Sequence, residues 1–117
     1  MALADQANED FCYVTTAGRH TGRPHTIEIW FGVREGTIYL LSGGGDRSDW
    51  VRNIQADQRV RVLIGDEEFA CAGRIVEDEA EDAMARRLLA GKYQGWQAGK
   101  RLSTWARTAL PVAIQPE

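Results

Sequence analysis

"HTIEIWFGVREGTIYLLS", residues 25–42, decides how this chain folds. Up to Val33 its apolar residues recur at every second position. Ile27, Ile29, Phe31 and Val33 fall on one face, and Glu28 and Trp30 on the other. A period of two places alternate side chains on opposite faces of a strand. "REG" (34–36) reads as a tight connection, and "TIYLLS" (37–42) as its hairpin partner.

The same period continues in both directions. "FCYVTT" (11–16) has strand composition and ends at the turn signal "AGR", and Pro24 starts the next run. "RVRVLIG" (59–65) sets Val60, Val62 and Ile64 against Arg59 and Arg61. "DEE" (66–68) connects it to "FACAGRIVE" (69–77). "TALPVAIQ" (108–115) aligns Leu110, Val112 and Ile114, and Pro111 is expected to confine that strand to an edge or a bulge.

Two helices interrupt the strands. One is expected from about Ser48 to Ala56, capped by Ser48 or Asp46, with Trp50, Val51 and Ile54 as its apolar stripe. The other starts at "DEAE" (78–81), where Asp78 and Glu81 resemble a capping box. Ala80, Met84 and Leu88 share its face, Arg86 and Arg87 suit its last turn, and Gly91 can end it. The acidic run from Glu77 to Asp82 complements that helix N-terminus. Residues 92–107 read as a loop plus a short helix. About six strands with hairpin links imply a mainly β (α+β) antiparallel barrel with helical inserts, because closure removes exposed edges.

The chain of 117 residues suits one domain spanning 1–117, with residues 1–9 expected to be a flexible N-terminus. The net charge of −3 argues against a nucleic-acid binder. Cys12 and Cys71 show no zinc spacing and read as two buried thiols, and no metal is expected. The first ten residues lack a signal-peptide pattern, and no apolar run approaches a membrane span. A soluble, cytoplasmic domain is expected.

Two loops carry the chemistry. "SGGGDRSDWVRN" (42–53) follows a strand and opens a helix. Bare backbone amides and a helix N-terminus there suit an anion, with Arg47 at the mouth. "TTAGRHTGRPHTIEIW" (15–30) holds Arg19, His20, Arg23 and His25 within seven positions. Arginine grips phosphate or carboxylate through paired hydrogen bonds. Either loop alone also reads as a solvated turn, and the histidines as surface or hydrogen-bonding groups. No nucleophile or metal-ligand pattern stands out, so the catalytic residues stay unknown. The aromatics Trp30, Tyr39, Trp50, Tyr93, Trp96 and Trp105 can wall a pocket for a flat ring, with Trp30 and Trp96 the first candidates.

The pair "GRHTGRPH" (18–25) and "SGGGDRSDWVRNI" (42–54), with "GRIVED" (73–78), resembles the deazaflavin-dependent nitroreductase family. The likeness is good over about residues 11–77 and continues more weakly to the closing strand. It implies a six- to seven-stranded antiparallel split β-barrel of the FMN-binding type, with two or three short helices and usually a dimer. It also implies binding of coenzyme F420, a deazaflavin with a phosphate and an acidic tail. Carried over position by position, the cofactor contacts are Arg19, His20 and Arg23, then Ser42, Gly43, Gly44, Arg47, Ser48, Trp50 and Asn53. Relatives often carry fixed cations where this chain has His20 and His25, which opens FMN as an alternative cofactor. They also use late tyrosines, and none follows Tyr93 here. The expected activity is hydride transfer from reduced F420 to a small electrophile: an enone, a quinone or a nitro compound. A flavin reductase or oxidase of the same fold, or a non-catalytic cofactor- or lipid-binding barrel, stays open.

Overall fold

The structure, a computed structural model, describes residues 3–117. It begins with a 3-10 turn at Leu3–Gln6; Met1 and Ala2, part of the segment expected to be flexible, lie outside the described residues. Seven strands follow: β1 (Cys12–Ala17), β2 (Pro24–Ile29), β3 (Gly32–Arg34), β4 (Thr37–Ser42), β5 (Arg59–Ile64), β6 (Glu67–Ile75) and β7 (Leu110–Pro116). Three helices interrupt them: α1 (Asp49–Ala56), α2 (Glu79–Gln94) and α3 (Thr104–Thr108). The strands form one sheet in the order β2-β1-β5-β6-β7-β4-β3, and every pairing is antiparallel.

The expected single run at 25–33 is two strands. It breaks at Trp30 and Phe31, and its halves lie at opposite edges of the sheet. Flat, seven neighbours at about 4.8 Å would hold those edges roughly 29 Å apart. A two-residue link reaches no further than about 11 Å. The sheet therefore curls until its edges approach, and the alternation continues through the bend because both edges face one interior. β3 and β4 then join through Glu35 and Gly36, whose φ angles are both positive (50° and 76°), the backbone of a type I′ hairpin.

The interior holds Val14, Phe31, Ile38, Leu40, Val62, Ile64, Val112 and Ile114, and α1 closes one side with Trp50, Val51 and Ile54. A second cluster lies outside the sheet, where Tyr39, Leu41 and Ala113 meet Ala85 and Leu89 of α2. β4 is buried at all six positions for that reason. Cys12 and Cys71 are buried and unpaired, and burial pushes their thiols up to about 12 and about 11.

Four local expectations are corrected. Pro111 lies in β7, which has a neighbour on each side. Its carbonyl accepts from the Val76 amide, just beyond the end of β6, so the side of the backbone that lacks an N–H faces the point where that ladder stops. Helix α2 runs past Gly91 and ends at Gly95, which has the left-handed φ of 66°. Asp78 caps α2 by accepting from the Glu81 amide, but the Glu81 side chain does not complete the box. Ser48 stands at the N-cap position of α1, yet neither it nor Asp46 makes a side-chain cap.

Glu81 instead receives both terminal nitrogens of Arg74, at 2.8 and 2.7 Å, and the Tyr39 hydroxyl at 2.7 Å. This joins α2, β6 and β4 across the second cluster. The Arg74 hydrogen bonds hold the Glu81 carboxyl down at about 2, from an ordinary 4.5. A carboxyl depressed by folding stabilises fully above its unfolded value and loses that contribution as pH falls toward the folded one. Stability should therefore decline from about pH 5 downward as Glu81 protonates. In urea titrations across that range, Glu81→Gln should start less stable and fall less steeply; parallel declines would show that Glu81 does not carry the effect.

Candidate functional site

The β1–β2 turn and the start of α1 meet through one arginine. Arg19, 22% exposed, donates from its guanidinium to Asn53 Oδ1 at 2.9 Å and to Asp49 Oδ1 at 3.1 Å. Its backbone amide reaches the same Asn53 oxygen at 3.2 Å. Asn53 is buried and passes the link on, donating from Nδ2 to Thr16 Oγ1 in β1 at 3.0 Å. One asparagine thus ties helix, strand and turn together with its amide satisfied on both sides.

The Gly43–Gly45 turn leads into a 3-10 turn at Gly45–Arg47, and α1 follows after Ser48. Ser42 Oγ donates to the Gly45 carbonyl at 2.9 Å and meets Ser48 Oγ at 2.9 Å, which closes the turn on itself. A Cβ on Gly44 would lie 2.5 Å from Ser48 Oγ, so a side chain there would displace the Ser48 hydroxyl that closes the turn. Among the described residues no group accepts a hydrogen bond from the Gly43 or Gly44 amide. The first-turn amides of α1 have no side-chain cap. These bare donors lie next to Arg47, which is exposed with no side-chain partner among the described residues.

The ten candidate contacts therefore divide by what the structure makes of them. Arg23, His20 and Arg47 are exposed, and Gly43 and Gly44 present open backbone. Arg19 sits between the two loops, with its charge already matched by Asp49. Ser42, Ser48 and Asn53 are spent on internal hydrogen bonds that shape the loops. Trp50 is buried in the barrel interior at 9% exposure, so its part is packing. A cleft of about 370 Å³ opens between the turn and α1, lined by Arg19, His20, Arg23, His25, Asp49 and Asn53.

A second cleft, of about 480 Å³, lies beside Trp30 and is lined also by Phe11, Ile29, Leu41 and Trp105. Trp30 stacks on Tyr93 at 4.3 Å and 2°, and meets Trp105 edge-on at 5.5 Å. Trp96 is not part of this group. Its Nε1 donates to the Lys100 carbonyl, with Arg87 6.0 Å over its ring. Tyr93 backs the Trp30 ring, and Trp105 is the second aromatic wall beside Trp30. Gly43 lies behind one wall of the cleft, since a Cβ there would lie 3.8 Å from Trp105.

Lys92 and Tyr93, at the end of α2, were not singled out together by the sequence. Lys92 Nζ donates to the carbonyls of Glu9 and Phe31, at 2.7 and 3.0 Å, and lies 3.7 Å over the Phe31 ring. Burial lowers its pKa and raises that of Tyr93. The periodicity of α2 gave no signal for them, because their partners are backbone groups from remote segments. Among the described residues no cluster of metal-ligand side chains exists, and no helix is long and apolar enough to cross a membrane.

A curled antiparallel sheet, with α1 closing its interior and α2 packed on its outer face, defines a split β-barrel. The sequence model of the F420H2-dependent quinone reductase family matches residues 4–117, and the chain belongs to that family. It is an oxidoreductase, and coenzyme F420 is the cofactor of the family. No curated protein sequence matches the chain. A conserved hypothetical protein of Mycobacterium tuberculosis superposes with a TM-score of 0.83 and 22% identity, over 100% of this chain and 81% of its own. An F420-H2 dependent reductase gives 0.65 and 22%, covering 90% and 92%. A Listeria innocua protein assigned to the pyridoxamine 5′-phosphate oxidases gives 0.72 and 20%, covering 98% and 90%. At these identities the three show a common fold.

The Asn53 hub generates a test. Asn53→Ala should leave Thr16 Oγ1 and the Arg19 donors without their partner. That should cost about 1–3 kcal/mol, read as a lower urea midpoint with an unchanged slope. An unchanged midpoint would show that the hub does not hold the two loops.

Proposed function

We propose that the two loops joined by Arg19 hold the phosphate and acidic tail of reduced coenzyme F420, and that the chain transfers hydride to a small electrophile. The observation that carries this is the clamp itself. It ties the turn that carries His20 and Arg23 to Asp49 and Asn53 of α1, and Arg47 and the Gly43–Gly44 amides lie just before that helix in sequence. Two exposed guanidiniums without internal partners and a run of open amides fit a phosphate with a carboxylate tail. When bound, the reduced deazaflavin supplies a hydride and a proton, so that an acceptor such as a quinone gains two electrons and two protons. The chain's own residues bind, orient and shield. Arg19 fixes the turn, Ser42 and Ser48 shape the glycine loop, and Trp30 with Trp105 walls the cleft beside it.

The arrangement further supports a homodimer, because the outer sheet face leaves Tyr13 and Leu63 cross-strand and exposed beside Phe11. Two free, buried thiols agree with a cytoplasmic setting.

The test is a titration of the purified chain with F420, with a tail-less F420 analogue and with FMN, followed by fluorescence. Arg23→Glu and Arg47→Glu should each weaken F420 binding several-fold to about a hundredfold, since a charge-assisted hydrogen bond is worth about 1.5–3 kcal/mol. The tail-less analogue should lose less. Equal losses for both ligands would remove the tail contacts. Binding of FMN alone would favour a flavin enzyme of the same fold, and binding of neither would end the proposal.

A further inference from the structure

The cleft at Trp30 differs in character from the loops that face the cofactor's anionic end. Its walls are Phe11, Ile29, Leu41, Trp30 and Trp105, and its polar side chains are Glu28 and Gln94. No lysine or arginine lines it. The indole is held rigidly. Tyr93 covers one of its faces in a parallel stack, and the Tyr93 hydroxyl is itself fixed, accepting from the Phe31 amide at 3.0 Å and donating to the Asp10 carbonyl at 2.8 Å. Despite that cover Trp30 remains 44% exposed, toward the cleft.

We infer that Trp30 is the stacking platform for the electron acceptor, and that the cleft selects a neutral, planar, electron-poor ring. This rests on the reading that the cofactor's phosphate and tail occupy the loops. The π face of an indole is negative and attracts a ring depleted of electrons, such as a quinone or a nitroarene. A cyclohexenone offers a smaller and less electron-poor π face, so it gains less from the indole. Gln94 Oε1 accepts from Ser103 Oγ at 2.8 Å, which leaves the amide N–H pair of Gln94 to donate to an acceptor carbonyl or nitro oxygen. Glu28 accepts from the Tyr13 hydroxyl at 3.1 Å and places a carboxylate at the rim, which repels an anionic acceptor. A Cβ on Gly43 would lie 3.8 Å from Trp105, one wall of the cleft, so an acceptor stacked here lies one side chain away from the glycine turn.

The experiment uses the F420-free chain and 2,3-dimethyl-1,4-naphthoquinone, whose blocked ring cannot alkylate a thiol. Binding is read by equilibrium dialysis and by the long-wavelength charge-transfer absorption of an indole–quinone stack. Trp30→Leu should weaken binding about three- to tenfold and abolish the band. Trp30→Phe should retain most of the affinity and still lose the band, which a structural role alone would not produce. F420 affinity in both variants should stay within about twofold of the parent, and binding of 3-methylcyclohex-2-enone should hardly change. Glu28→Gln should raise the affinity for 1,4-naphthoquinone-2-sulfonate and not for the neutral quinone. Unchanged quinone binding in Trp30→Leu would overturn the inference, and so would an equal loss of F420 binding, because Trp30 would then hold the cofactor. Quinone stacking in a chain that binds no F420 would uphold the platform while sinking the cofactor placement.

Discussion

Strands β2 and β3 lie at opposite ends of the sheet order, and only Trp30 and Phe31 separate them in sequence. That short link forces the sheet to close, and the remainder of the molecule is arranged around keeping it in place. A backbone crossing from edge to edge leaves amides and carbonyls that neither edge strand can pair. Tyr93 and Lys92 meet that need, taking the Phe31 amide and carbonyl, and they bind the Glu9 and Asp10 carbonyls at the approach to β1 as well. Lys92 is half-buried with its charge over the Phe31 ring, so part of its desolvation is offset by carbonyl dipoles and the aromatic face. The last turn of α2 is thus the latch of the barrel. The same latch fixes Trp30, which makes closure of the fold and the shape of the acceptor cleft one constraint.

Much of this was legible in the sequence, and the gaps have physical reasons. Val60, Val62 and Ile64 point inward as the period of two requires, and Val112 and Ile114 do likewise. The two loops were recognisable because glycine and arginine are conspicuous where backbone must be bare and charge concentrated. The break at Trp30 was not legible. An unbroken alternation cannot distinguish one long strand from two strands that share an interior, and here it spans both. Pro111 misled because the rule for proline in strands concerns the missing N–H, and its cost depends on whether a neighbouring ladder has already ended there. Trp96 was expected as a wall beside Trp30 and lies apart from it, since the chain bends after Gln94 at Gly95.

The charges at the site divide into two kinds that sequence does not separate. Arg19, Arg23 and Arg47 look alike in composition. The structure neutralises one and leaves two free. A guanidinium that must hold two loops together is best matched, as Arg19 is by Asp49 and Asn53, because an unmatched charge there would bend the loops toward whatever anion arrived. A guanidinium that must meet a ligand is best left in water, where desolvation has not been incurred in advance. Asp49 therefore serves the loops by pairing with Arg19.

The same accounting applies to protons. The three tyrosines give their hydroxyls to Glu28, to Glu81 and to the Asp10 carbonyl. Burial raises the pKa values of Tyr39 and Tyr93, with the Glu81 hydrogen bond adding to it at Tyr39, and the Glu28 hydrogen bond raises that of Tyr13. None presents a proton to the Trp30 cleft, whose one titratable lining residue is Glu28. A protein acid poised for the acceptor would need to be unpaired and aimed into the cleft, and no lining side chain has both properties. The cleft is built for contact and orientation, with the redox chemistry carried by the cofactor. On this chain a change in acceptor preference is thus a change in which ring Trp30, Gln94 and Glu28 admit, with no acid to retune.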